Sequence, residues 1–239
     1  MLLEVDKLKE HSHMIEDIEK ASLRMVTQAI YDFRYEAIKI FSEEGDLKSD
    51  IGEDITREAL DNMGMHRIPV RLFGKIDYKR ACYLFSPEYA VRQALFVDSK
   101  AEKIEGQNSA TIQTSQTSMV IKQLKSGKTT DEKGKLPTIL TAFDKMFLTT
   151  TIFVKYNYDE PKVDKYTLHS IVIACLPNGI LQDVYNPTPE NNIWLVGRHS
   201  HQRGEEFMVR ISFAKLRKKS PWRVQTITLL PQEIFSWVN

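Results

Sequence analysis

Between residues 13 and 44 the apolar positions Ile15, Ile18, Met25, Ala29, Phe33, Ala37, Ile40 and Phe41 recur three or four apart, with charges between them. That spacing predicts one long amphipathic helix, ended by Gly45. A second helix is predicted over 51–63, where Ile55, Ala59 and Met63 share a face and Gly64 closes the segment. After Pro69 the pattern turns to strand, in runs rich in Val, Ile, Thr, Phe and Tyr at 71–85, 93–100, 146–158, 166–176, 206–213 and 223–230. The polar stretch 106–135 holds Ile112, Met119, Val120 and Leu124, which predict one modest helix, and 125–135 (KSGKTTDEKGK) is expected as an exposed loop. The segment 177–203, with Pro187 and Pro189, is expected to be irregular. No repeat or linker interrupts the chain. The reading is one α/β domain over 1–239, a central mixed, mostly antiparallel sheet flanked by helices, with a helical part at 1–64 and a sheet-rich part at 65–239.

Composition narrows the class. With 42% hydrophobic and 27% charged residues and sparse Gly and Pro, the chain can bury a core, so disorder, collagen and coiled-coil arrays are excluded. No segment approaches the ~20 apolar residues of a membrane helix, and the start of the chain is too polar for a signal peptide, so a cytoplasmic protein is expected. Cys82 and Cys175 sit in apolar runs without metal spacing and are expected as reduced core thiols. The net charge of +1 would argue against an anionic partner, but it is a sum of unlike parts. Residues 1–64 carry 16 acidic and 8 basic side chains, and residues 65–239 carry 16 acidic and 25 basic ones. The sheet-rich part is therefore basic enough to face a polyanion.

The sharpest local chemistry lies in Gln93-Ala94-Leu95-Phe96-Val97-Asp98-Ser99-Lys100. Alternation along a strand puts Asp98 and Lys100 on one side and Leu95, Val97 and Ser99 on the other. Upstream, Phe73-Gly74-Lys75-Ile76-Asp77-Tyr78 is a second run with an acid in an apolar setting, close enough to be the antiparallel neighbour. Two strand carboxylates, Asp77 and Asp98, suit a hard cation such as Mg²⁺, and a nearby lysine positions or deprotonates the attacking water and offsets transition-state charge. This is the chemistry of phosphodiester hydrolysis. A surface ion pair at a strand end would give the same three-residue pattern.

Longer stretches carry a family resemblance. Asp54-Ile55-Thr56, Gly74-Lys75-Ile76-Asp77-Tyr78-Lys79-Arg80 and Leu95-Phe96-Val97-Asp98-Ser99-Lys100-Ala101 resemble segments of the SfiI-type type II restriction endonucleases. So do Tyr185-Asn186-Pro187-Thr188-Pro189, Gly197-Arg198-His199-Ser200, Arg203-Gly204-Glu205 and Pro221-Trp222-Arg223, in the same order along most of the chain. The resemblance implies a restriction-endonuclease-like PD-(D/E)xK fold and Mg²⁺-dependent cleavage of double-stranded DNA at an interrupted palindrome. It also implies a symmetric assembly, a homodimer or homotetramer. Asp77 matches the first motif acid, Asp98 the second and Lys100 the motif lysine. Ile76 stands where the motif name has Pro. Asp77, Asp98 and Ser99 form the expected metal-binding set, and Glu53 is either an extra catalytic acid or a solvated helix residue. The alternatives are a sequence-specific DNA-binding protein that has lost the chemistry and a structure-specific repair nuclease. Intact Asp77, Asp98 and Lys100 speak against the first.

Two polar groups are candidates for contacting DNA. Lys103, Gln107, Asn108, Thr111, Gln113 and Gln116 follow the catalytic strand, and Arg198, His199, Gln202, Arg203 and Arg210 lead into and along a later one. Arginine and amide side chains can pair with base edges in the major groove. Residues 198–223 hold eight basic side chains against Glu205 and Glu206, with 215–219 expected as a solvated helix turn suited either to phosphate contact or to plain solvation. Trp194 and Trp222 are expected to pack in the core, and His11 and His13 to be solvated.

Overall fold

The computed structural model describes residues 2–43, 50–69, 78–85, 90–104, 108–125, 127–162, 165–196 and 207–239. The expected site residues Asp77, Gln107, Arg198, His199, Gln202 and Arg203 lie outside them, as does the first half of the run at 71–85.

Three helices come first: α1 (Ser12–Asp32), α2 (Arg34–Glu43) and α3 (Ile51–Asp61). The single helix expected over 13–44 is thus two, meeting at Phe33. There the Arg34 guanidinium donates to the Tyr31 carbonyl at 2.7 Å and is held by Glu233 at 3.0 Å. A side chain inserted at a helix carbonyl bends the ladder. Gly64 closes the second helical segment as expected: its φ of +69° is the left-handed conformation glycine favours, and its N–H reaches the Asp61 carbonyl.

The strands are β1 (Leu2–Leu3), β2 (Tyr78–Phe85), β3 (Ala90–Lys103), β4 (Ser109–Gln113), β5 (Val120–Lys125), β6 (Lys128–Lys133), β7 (Ile139–Ala142), β8 (Lys145–Lys162), β9 (Lys165–Leu176), β10 (Trp194–Leu195), β11 (Met208–Ser212) and β12 (Val224–Thr228). The main sheet runs β1-β3-β8-β9-β12, with β2 on β3 and β7 on β8. Only β1–β3 and β3–β8 are parallel pairs among these, so the sheet is mixed and mostly antiparallel. A second sheet, β10-β11-β4, and the hairpin β5–β6 lie apart from it. Two short helices, α4 (Gln182–Tyr185) and α5 (Phe213–Lys219), complete the elements.

The main sheet is covered on both faces. On one, Leu23, Val26 and Ile30 of α1, Phe41 of α2 and Ile55 and Leu60 of α3 pack on Leu95, Val97, Ile152, Val154, Ile171 and Ile173. On the other, Phe153, Val172 and Ala174 meet Ile112, Val209, Ile211, Trp194 and α5. A strand buried on both sides reads as a continuous apolar run, which is why β8 and β9 were legible in the sequence. Trp194 and Trp222 are both buried, and so is Cys175, whereas Cys82 is half-buried.

The segment 106–135 departs from expectation. In place of a helix it holds β4, a 3-10 turn at Thr114–Gln116 and the β5–β6 hairpin, and part of the expected loop at 125–135 is strand β6. Ile112 alternates inward from β4, whose five residues all pair with β11. Partners about 100 residues away decided the conformation, and local spacing carries no record of them.

Candidate active site

Strand β3 sets the geometry. Its inner face feeds the helical core through Leu95 and Val97, and the opposite face turns Asp98, Lys100 and Glu102 into a cleft of about 360 Å³. Asp50, Glu53, Ala101, Gln113 and Gln116 complete the lining. Asp98 and Lys100 thus share one face, as strand alternation predicts, and Glu102 joins them there. Glu53 comes from the first turn of α3 and lines the same cleft.

The close seat of α3 depends on Gly52. A Cβ there would stand 3.2 Å from the Ala101 nitrogen, the Lys100 carbonyl carbon and the Tyr156 ring. Glycine lets the helix start lie close against the strand at Lys100, which brings Glu53 to the cleft. Just behind, the Ser99 hydroxyl donates to Thr56 Oγ1 at 2.7 Å, and Thr56 pairs with the Tyr156 hydroxyl at 2.9 Å. Ser99 thus turns its side chain into the helix–sheet junction, away from Asp98. Its hydroxyl is engaged in this junction and not turned to the cleft.

Asp98 is buried, 7% exposed, and loss of hydration pushes its carboxyl up to about 6, against the opposing pull of Lys100, the Ser99 N–H and Gln116. Gln116 Nε2 donates to Asp98 Oδ2 at 2.5 Å, and Gln116 Oε1 accepts from the Gln113 N–H at 2.6 Å. Gln116 is 6% exposed, so the base contact expected of it gives way to a bond with the acid. Lys100 Nζ donates to the Thr111 carbonyl at 3.1 Å. One strand over, in parallel register with Lys100, stands Lys155. It is fully buried, donates to the Ser109 carbonyl at 2.8 Å and pairs with Glu102 at 2.6 Å. Burial lowers its pKa, with Glu102 opposing the shift. Lys155 was missed in the sequence, although a lysine inside Thr151-Ile152-Phe153-Val154-Lys155-Tyr156 is the signal of a buried, partnered charge.

The cleft offers carboxylate oxygens, the donors a hard divalent cation prefers. Asp98 suits such an ion: it is poor in water and its bond from Gln116 is neutral. Among the described residues no three His, Cys, Asp or Glu stand together as a complete metal cluster. The β2–β3 pairing is antiparallel as expected and is described as far as Tyr78 opposite Val97; Asp77, next in sequence, lies outside the described residues.

The polar candidates divide. Thr111 and Gln113 lie on the face of β4 away from the core, Arg210 stands opposite Thr111 on β11, and Gln113 also lines the cleft. Arg210 donates to the Ser109 hydroxyl. Asn108 is exposed at the start of this strand pair, and Lys103 is exposed at the end of β3, paired with Glu160 at 2.9 Å. The basic cluster at 210–223 is less open than its sequence suggests. Arg223 is fully buried against Glu19 at 2.6 Å, Lys215 donates to the Trp194 carbonyl at 2.7 Å, Arg217 to Thr226 and Lys219 to Asn191. Of the helix turn at 215–219, Lys218 is the exposed basic residue.

The chain is similar to known proteins over most of its length. The family model described as "Type II restriction enzyme SfiI" matches residues 34–227. The type II restriction enzyme SfiI of Streptomyces fimbriatus is 36% identical over 227 residues, covering 89% of this chain and 84% of that protein. The crystal structure of tetrameric restriction endonuclease SfiI bound to cognate DNA superposes with a TM-score of 0.81 at 31% identity, over 95% of both chains. The restriction endonuclease BglI bound to its DNA recognition sequence gives 0.72 at 15% identity over 93% of both, a likeness of fold alone. With its restriction-endonuclease-like sheet and its Asp98-Lys100 cleft, this chain belongs to the SfiI family of type II restriction enzymes, site-specific deoxyribonucleases.

Proposed function

We propose that this protein hydrolyses phosphodiester bonds of double-stranded DNA within an interrupted palindrome, with Mg²⁺ as cofactor, as a homodimer or homotetramer. The observation that carries the reading is the meeting of Asp98, Lys100 and Glu53 in one cleft whose wall, β4, also carries Thr111 and Gln113. The tetrameric, DNA-bound state of the SfiI structure supports the assembly and the partner. Restriction endonucleases of this kind generally use a divalent metal, and Asp98 with Asp77 would hold it. When bound, it supplies Lewis-acid stabilisation of the phosphate and a water of lowered pKa. Lys100, fixed by the Thr111 carbonyl, orients the attacking water and offsets negative charge growing on the phosphate. Glu53 faces the same space from α3 and accepts a proton or a water hydrogen bond there. Thr111, Gln113 and Arg210, with Asn108 and Lys103 beside them, form the described part of the DNA-facing surface; Gln107, Arg198, His199, Gln202 and Arg203 complete the proposed set. An enzyme with this substrate acts in the cytoplasm.

Digestion of a sequenced plasmid with Mg²⁺, followed by mapping of the ends, tests the reading. Discrete fragments whose ends share one two-fold symmetric site are expected. Random degradation, or binding to one site without cutting, would overturn it.

A further inference from the structure

Asp98 meets a neutral donor where a buried carboxylate commonly meets a cation. Gln116 reaches it from the 3-10 turn Thr114–Gln116, and both ends of the amide are engaged. The Gln113 N–H can only donate, so it binds Oε1 and forces Nε2 towards Asp98. The turn itself is held from behind: Lys135 N–H donates to the Thr114 carbonyl at 2.8 Å and Leu136 N–H to the Thr117 carbonyl at 3.2 Å. The donor is therefore aimed by backbone.

We propose that Gln116 is the positioning residue of the catalytic acid, fixing Asp98 through Oδ2 so that the carboxylate faces the cation, the amide itself neutralising none of its charge. An arginine or lysine at this place would orient the acid equally well, but its charge would compete with a divalent ion for the same oxygens. An amide orients and leaves the charge. Because its other end binds the Gln113 backbone, the acid is also tied to β4, the strand whose outer face carries Thr111 and Gln113. Groups that orient metal ligands typically change metal affinity by ~10- to 100-fold when removed.

This inference rests on the proposed metal-dependent reading. The test is Mn²⁺ binding followed by electron paramagnetic resonance on the full chain without DNA, for wild type, D98A, Q116M and Q116N. Q116M keeps bulk and loses both bonds; Q116N keeps the amide but is too short to span both partners. Wild type is expected to bind Mn²⁺, D98A to lose it, and both Gln116 variants to bind ~10-fold more weakly, with metal-free melting temperatures near wild type. Wild-type affinity in either folded Gln116 variant, or a loss of the melting transition in both, would assign Gln116 to plain packing and overturn the proposal. Failure of wild type itself to bind Mn²⁺ would instead contradict the metal reading, and this inference with it.

Discussion

Two buried carboxylates on opposite sides of the main sheet carry the same charge and have different fates. Glu19, on α1, is fully buried; burial pushes it up, while Arg223 at 2.6 Å and the Asn178 N–H at 2.7 Å draw it back. Arg223 in turn stacks over Tyr185 and Trp222, and its pKa is raised by Glu19. Glu19 is thus satisfied within the protein, and the pair joins α1 to the β12 side of the fold. Asp98 is nearly as buried, yet among the described residues it makes no ion pair, and its side-chain partner there is the Gln116 amide. Lys100, two residues on, spends its described hydrogen bond on a carbonyl. Glu19 is satisfied by protein and is structural; Asp98, held by a neutral donor, is what the proposed metal-dependent reading requires of a ligand.

The contrast yields predictions of graded size. In the proposed mechanism the Lys100 charge counts most in the transition state, so for Lys100→Met single-turnover cleavage should fall ~10²- to 10³-fold while DNA affinity stays within a few-fold. Equal losses in both would place Lys100 in binding alone. Glu19→Gln removes the buried partner of Arg223, leaving it the partly exposed Glu16 at 3.4 Å, and should cost ~3 kcal/mol, a fall of roughly 10 °C in melting temperature. Cleavage measured at low temperature on the folded variant should remain near wild type; a large catalytic defect there would merge the two sites.

Asp98→Asn should act in the opposite direction on stability. The Asp98 carboxyl is raised from an ordinary 3.8 to about 6 in the folded, metal-free chain. Below about pH 4 it is protonated folded and unfolded alike and costs nothing. Above about pH 6 it is ionised in both states, and the folded state bears the whole difference, on the order of 3 kcal/mol. The variant should therefore melt several degrees higher than wild type at pH 8, with the gain vanishing as the pH falls towards 4. A gain that persists at pH 4 would point to packing. For the same reason wild-type affinity for Mn²⁺ should decline as the pH drops through 6. The smallest change expected is Gly52→Ala, which presses a methyl against the Lys100 and Ala101 backbone and should cost ~1–2 kcal/mol. Because α3 also carries Glu53, a few-fold loss of cleavage should accompany it; melting-temperature loss with unaltered cleavage would separate Glu53 from the chemistry.

The sequence made one half of this comparison legible. Period-two alternation through residues 93–100 put Asp98 and Lys100 on a common side, and the apolar partners Leu95 and Val97 explain why. Glu19, by contrast, looks in sequence like one more charge on an amphipathic helix, because its partner lies 204 residues away. Long-range pairing hid three more features: β4, whose strand state depends on β11; the diversion of Gln116 to Asp98; and the consumption of Arg223 and Lys215 inside the fold. The basic tally over 198–223 overstated the open charge for that reason.

Cleavage of one mapped site by wild type and by Asp98→Ala, with DNA binding measured in parallel, tests the role of Asp98. Asp98→Ala is expected to bind the site with affinity close to wild type and to give no detectable product. Undiminished cutting by that variant would contradict the assignment of Asp98 as the open carboxylate of the active site.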